Sequence, residues 1–141
     1  MKTIKIKYFN ESEELEEFTI GDWIDLKSNI DIEYKRGDIF KIPLGVGMIL
    51  PKKYEANVVP RSSTRKKFGI IQTNHFGVID NSYSGDEDEW QFEAYAVEDG
   101  KICKSDRICQ FRINKIQPKV KFKTVSKLRD KSRGGYGTTG K

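Results

Sequence analysis

Between Gln72 and Trp90 the chain reads QTNHFGVIDNSYSGDEDEW, a run of turn-forming residues that carries an apolar wedge, a carboxylate and one aromatic ring. Val78 and Ile79 lead directly into Asp80, and Tyr83 follows shortly after. A tight hairpin around Phe76, Gly77 and Val78 would present backbone donors and acceptors to a flat, hydrogen-bonding ligand, because Gly77 has no side chain to hold the ligand off. Asp80 would then project where it can take a proton from water. Tyr83 could lie flat against a sugar ring. Read alone, the stretch also describes an ordinary turn with one buried aromatic.

Four further patches suit chemistry better than a plain β core. In PRSSTRKKFG (60–69) a strand ends at Pro60, and Arg61, Ser62 and Ser63 open a short helix. A guanidinium, two hydroxyls and free amide N–H groups aimed at one spot make an anion site, although the serines could simply cap the helix. GDWIDLKS (21–28) sets Asp25 among apolar neighbours, as a metal-facing carboxylate or a turn residue. SDRICQFRI (105–113) offers Gln110 as a phosphate donor or as a solvent-facing strand residue. In the tail, SRGGYGTTG (132–140), Arg133, Gly135, Thr138 and Thr139 suit the wrapping of phosphates, and Tyr136 could stack on a base.

The elements that must position these groups read mainly as short strands: TIKIKYF, DIFKIPLGVGMIL, EANVVP, FGIIQT, WQFEAYAV, RICQFRI and KVKFKTV. Several alternate apolar with polar residues, as half-buried antiparallel strands do. Gly45 and Gly47 mark a bulge or close backbone approach inside the second. ESEELEEF reads as a helical turn or a solvated acidic excursion, and SSTRKKFG as one or two helical turns stopped by Gly69. The expectation is a compact all-β domain over residues 1–131 and a flexible, glycine-rich tail over 132–141, which has almost nothing to bury.

At 141 residues the chain makes one domain, and no apolar run reaches the roughly 20 residues of a membrane span. The opening MKTIKIKYF alternates Lys with apolar residues and lacks a signal peptide's apolar core, so a cytoplasmic protein is expected. Cys103 and Cys109 lack metal or redox spacing and read as reduced and structural. The net charge is +5, yet residues 115–141 alone hold nine Lys or Arg against Asp130, which is +8 and leaves −3 for the rest. Such an end could meet nucleic acid, an acidic membrane or a small polyanion, or be a solvated face.

Together and in this order, the five patches resemble the five motifs of the homotrimeric dUTPases: GDWIDL, PRSS, NHFGVIDNSYSG, DRICQFRI and GGYGTTGK. Asn74, Gly77, Ile79, Asp80, Tyr83 and Gly85 fall at the family's spacing in the third motif, and the wording from PLGVGM to RICQFRI is similar to versions found in Gram-positive bacteria and their phages. The resemblance implies a jelly-roll-like β-barrel trimer with shared active sites. One chain would supply motifs one, two and four, a second motif three, and the third its tail. It implies hydrolysis of dUTP to dUMP and pyrophosphate, which lowers dUTP and supplies dUMP for thymidylate synthesis. Asp80 would activate the attacking water; Asn74, Phe76, Gly77, Val78 and Ile79 would cradle uracil; Tyr83 would pack on the deoxyribose. Arg61, Ser62, Ser63, Gln110 and the tail would neutralise phosphates, with a magnesium ion touched by Asp25 through water. Tyr136 would cover the uracil, and either Lys131 or Arg133 would act as the tail's arginine.

The R-S-S spelling and Glu93 in WQFEAYA are also similar to the dCTP deaminases of the same fold. GVID, Tyr83 and the complete tail favour the dUTPases. In another class stands a non-catalytic module that binds dUTP or a regulatory protein, for which Asp80 would be superfluous. Nucleic-acid and membrane binding are not expected.

Overall fold

The computed structural model describes residues 1–16, 21–129, 132–135 and 137. These residues form eleven strands and one short helix. In chain order they are β1 (Lys5–Tyr8), β2 (Ile24–Lys27), β3 (Ile32–Tyr34), β4 (Ile39–Pro43), β5 (Val46–Ile49), β6 (Tyr54–Pro60), α1 (Thr64–Phe68), β7 (Ile70–Gln72), β8 (Gly77–Ile79), β9 (Gln91–Ala96), β10 (Gly100–Ile102) and β11 (Arg107–Lys115). Every pairing is antiparallel. Four sheets result, ordered β1-β5, β10-β3, β2-β11-β6-β8 and β4-β9-β7, so the all-β class holds. Among the described residues the strands do not close into one continuous barrel.

Strand β9 illustrates how patterning builds the core: Phe92, Ala94 and Ala96 are buried while Gln91, Glu93 and Tyr95 face outward. β11 breaks its alternation once. A register shift between Arg107 and Cys109 lets both Ile108 and Cys109 bury, and the bulge re-aims Arg107 at the start of the strand. Trp90 and Phe111 meet edge to face at 5.2 Å in the centre of the core.

Two expectations are corrected, and a third is decided between its alternatives. DIFKIPLGVGMIL is two strands, β4 and β5, which join different sheets. The break falls at Gly45, whose φ of +72° is the left-handed conformation that favours glycine. KVKFKTV forms no strand: residues 116–129 are exposed throughout, with Phe122 at 93% and Leu128 at 90%. Its alternating segment pairs with no strand of the described residues, and an unpaired segment leaves its backbone groups to water. Residues 11–16 of the acidic stretch form no helical turn and stay mostly exposed. Three strands escaped the sequence reading, β2, β3 and β10, each too short to display a period.

Candidate active site

The tight hairpin expected around Gly77 does not form: Gly77 opens β8, which pairs with β6, while β7 before it pairs with β9 in another sheet. Gly77 sits opposite Val58, and Ile79 opposite Ala56, at the edge of the four-stranded sheet. A cleft of about 360 Å³ opens beside it, lined by Asn74, Gly77, Val78, Ile79 and Tyr83, with Trp90, Lys41 and Glu93 also in its wall. Phe76 precedes the strand; its ring is exposed, lies edge-on to His75 and is not part of the lining. Asp80 follows Ile79 at the end of the strand and is exposed.

The loop after Asp80 is pinned from several sides. Tyr83 N–H donates to the Asp80 carbonyl at 2.9 Å, and the Ser82 hydroxyl donates to Asp80 Oδ2 at 3.0 Å. The Asn81 amide donates to the carbonyls of Pro51 at 3.1 Å and Tyr54 at 2.7 Å, which ties the loop to the turn before β6. The Tyr83 hydroxyl donates to the Glu89 carbonyl at 3.0 Å. Burial, helped by the charges of Asp88 and Glu89, pushes the Tyr83 phenol above its usual value near 10, so the ring is neutral at physiological pH. Glu93 accepts the Thr73 hydroxyl at 2.7 Å.

A second cluster lies across the same sheet. Asp25 on β2 faces Gln110 on β11, which faces Val59 on β6. Arg61, just past β6, donates from Nε to Asp25 Oδ1 at 2.9 Å, and Arg107 Nη1 lies 3.9 Å from Asp25 Oδ2. Gln110 Nε2 donates to the Pro60 carbonyl at 3.2 Å. The residues from GDWIDL, PRSS and DRICQFRI are therefore brought together. Thr64 holds them: buried, it accepts the Arg61 N–H at 2.8 Å and donates to the Ile108 carbonyl at 2.8 Å. Ser63 occupies the helix N-cap position but makes no side-chain capping bond, and Ser62 is exposed. Capping therefore does not account for Ser63. Gly69 ends the helix in the left-handed conformation, its N–H donating to the Arg65 carbonyl at 2.8 Å.

In the four-stranded sheet Asp25 on β2 stands at the edge opposite the cleft strand β8, three strand spacings or roughly 14 Å away, whereas Gln110 on β11 is two strands from β8 and Arg61 follows β6, the strand beside it. No arginine lines the cleft, so within one chain its lining lacks the guanidinium groups a triphosphate would meet. Among the described residues no group of three or more His, Cys, Asp or Glu forms a metal cage. A lone carboxylate such as Asp25, already paired with Arg61, cannot hold a bare divalent ion. It does fit a hydrated magnesium ion held mainly by phosphate oxygens, because magnesium keeps its waters and takes one or two carboxylates. Arg133 and Gly135 are exposed and outside every strand, while Lys131, Tyr136, Thr138 and Thr139 lie outside the described residues. Sequence reasoning missed Arg107, Thr64 and Glu89. Arg107 is the second residue of DRICQFRI and was legible as a cation near Gln110; the other two contacts span distant parts of the chain.

The dUTPase family profile matches residues 23–141. The SPbeta prophage-derived deoxyuridine 5'-triphosphate nucleotidohydrolase of Bacillus subtilis is 54% identical over 97% of this chain and 97% of its own. Among solved structures, a mutant dUTPase of Staphylococcus bacteriophage 80alpha with dUpNHpp shares the fold at a TM-score of 0.76 and 18% identity, covering 93% of this chain and 92% of that one. A mutant dUTPase from phage phi11 of S. aureus, in which a structural Mg(II) ion is coordinated, gives a TM-score of 0.76 at 16% identity over 89% and 98%. With its cleft beside β8 and its paired carboxylate–guanidinium cluster, the chain belongs to the dUTPase family.

Proposed function

We propose that this chain hydrolyses dUTP to dUMP and pyrophosphate, and that Asp80 is the base. The observation that carries the reading is the cleft beside β8: Gly77, Ile79 and Tyr83 wall it, and Asp80 is held exposed at the end of the cleft strand by Ser82. Uracil pairs with backbone around Asn74, Phe76 and Gly77, where a cytosine amino group would oppose a donor with a donor. An unmatched buried polar group costs about 1–3 kcal/mol, so a few such contacts discriminate strongly. Val78 and Ile79 complete the cradle, and Tyr83 packs on the deoxyribose, leaving no room for a 2′-hydroxyl.

Asp80 takes a proton as water attacks the α-phosphorus in line, the bond to the bridging oxygen breaks, and pyrophosphate leaves with that electron pair. Base catalysis of this kind is worth about 10²–10⁴-fold. Arg61, Ser62, Ser63 and Gln110 bind the phosphates, aided by Arg133, Gly135, Thr138 and Thr139 of the tail, which closes as a lid with Tyr136 over the base. A bound magnesium ion, reached by Asp25 through water, supplies neutralisation of phosphate charge.

A cleft lining without arginine supports a trimer in which one chain's cleft strand meets another's arginine. So does the arm beyond β11, whose Val120, Phe122, Val125 and Leu128 are all exposed in a single chain. No helix among the described residues is long and apolar enough to cross a membrane, and a cytoplasmic place suits the substrate. A pure binding module would have no use for the Asp80 carboxylate. Measuring pyrophosphate release from dUTP, dTTP, dCTP and UTP with magnesium tests the reading: only dUTP should turn over well, and ammonia release from dCTP would instead mark a deaminase.

A further inference from the structure

The acidic stretch Asp86–Glu89 has no part in the chemistry above, and four successive carboxylates could be a turn or a partner surface. The structure gives them other work. Lys7 Nζ donates to the Asp86 carbonyl at 2.7 Å. Asp88 Oδ2 accepts the Gly85 N–H at 2.8 Å, and the Asp88 N–H returns to the Gly85 carbonyl at 3.1 Å. Glu89 reaches furthest: its Oε2 accepts the Gly45 N–H at 2.9 Å, from 44 residues earlier in the chain.

That partner is itself rigid. Gly45 holds the left-handed break between β4 and β5, where any Cβ would come within 2.5 Å of Ser12 Cβ. Its carbonyl accepts Phe9 N–H at 2.9 Å and the Ser12 hydroxyl at 2.7 Å. On either side, Leu44 N–H donates to the Trp90 carbonyl at 2.9 Å and Trp90 N–H to the Val46 carbonyl at 2.8 Å. Residues 89–90 are thus bonded to three successive residues of this break. The backbone carbonyl of the same Glu89 receives the Tyr83 hydroxyl. One residue therefore joins the rigid break to the ring that faces the cleft.

We propose that Glu89 is a positioning residue for sugar recognition: by fixing its own carbonyl against Gly45, it sets where the Tyr83 ring stands and so how sharply dUTP is preferred over UTP. The inference rests on the reading of Tyr83 as the wall against the deoxyribose. A ring free to tilt admits a 2′-hydroxyl that a fixed ring rejects, and pre-orientation of this sort acts on substrate discrimination more than on the chemical step.

The test compares Glu89→Ala, Glu89→Gln, Tyr83→Phe and the Glu89→Ala/Tyr83→Phe double variant by steady-state kinetics with dUTP and UTP. Loss of one hydrogen bond is worth roughly two- to tenfold. Glu89→Ala is expected to lower the ratio of kcat/KM for dUTP over UTP by that factor, mostly through a lower KM for UTP, with kcat for dUTP within about twofold. Glu89→Gln keeps an acceptor oxygen for the Gly45 N–H and should restore the ratio. Tyr83→Phe should lower it as Glu89→Ala does, and the double variant should lose no more than either single one. An unchanged ratio in Glu89→Ala, failure of Glu89→Gln to restore it, or full additivity in the double variant would overturn the inference while leaving dUTP hydrolysis intact. A wild-type chain that releases no pyrophosphate from dUTP would overturn both.

Discussion

Replacing Gly77 by Ala adds one methyl group at the point where the cleft strand meets the core. The new Cβ would stand 3.0 Å from Val58 Cβ, 3.3 Å from the Val58 carbonyl oxygen and 3.4 Å from Gln72 Nε2. Carbon pairs are comfortable at about 3.5–4.0 Å, so the contact with Val58 is short by about half an ångström or more. Val58 cannot yield: it is buried, β-branched and bonded into the centre of the sheet. The β8–β6 pairing has only three register pairs, so the cleft strand has to move outward. Overpacking of this kind costs about 1–3 kcal/mol, a fall in melting temperature of roughly 3–10 °C for a chain of this size. A displacement of about half an ångström in the uracil cradle should raise KM for dUTP roughly tenfold. Asp80 is held separately by Ser82 and the turn to Tyr83, so kcat should change much less. Calorimetry together with steady-state pyrophosphate release checks both halves. A Gly77→Ala variant that melts within a degree of the parent, with the parent KM, would refute the close-approach argument.

Other outcomes follow from the same geometry. Asp80→Asn keeps an acceptor for the Ser82 hydroxyl, so nucleotide affinity by calorimetric titration should stay near wild type while turnover falls at least about a hundredfold. Deleting residues 132–141 should sharply reduce turnover yet leave the melting midpoint in place, because the last strand ends at Lys115. Thiol labelling of the native chain should modify exposed Cys103 alone: burial, reinforced by the Asp25 charge, pushes the Cys109 thiol far up, and Cys109 should label only after denaturation. The raised Tyr83 phenol binds its proton more tightly folded than unfolded. Its share of stability is therefore complete below pH 10 and is lost as pH climbs through the folded value. Melting curves above pH 10 should fall less steeply in Tyr83→Phe than in the parent.

Much of this site was readable as letters because its chemistry is local. Gly77, Asp80 and Tyr83 lie within one short strand and the turn after it, where the spacing itself sets the geometry. Arg61 and Gln110 were legible for a related reason: each falls where a strand ends or a period shows. What stayed hidden depends on contacts between distant segments. The Asp25–Arg61 ion pair needs β2, β11 and β6 to be neighbours, and a four-residue strand with one buried side chain does not announce itself. Glu89 could not be told from its acidic neighbours until Gly45 was found beside it. KVKFKTV misled in the opposite direction, since alternation records a face seeking burial and says nothing of which chain supplies the cover.

Strand β6 touches both halves of the proposed chemistry: Val58 pairs with Gly77 of the cleft strand, and two residues later Pro60 leads into Arg61. If each centre is assembled from different chains, as proposed, a protomer damaged in this strand withdraws its cleft strand from one centre and its guanidinium from a neighbouring one. In a population of randomly mixed trimers, output should then decline as the square of the sound fraction, so a minority of faulty copies would silence more centres than their own number.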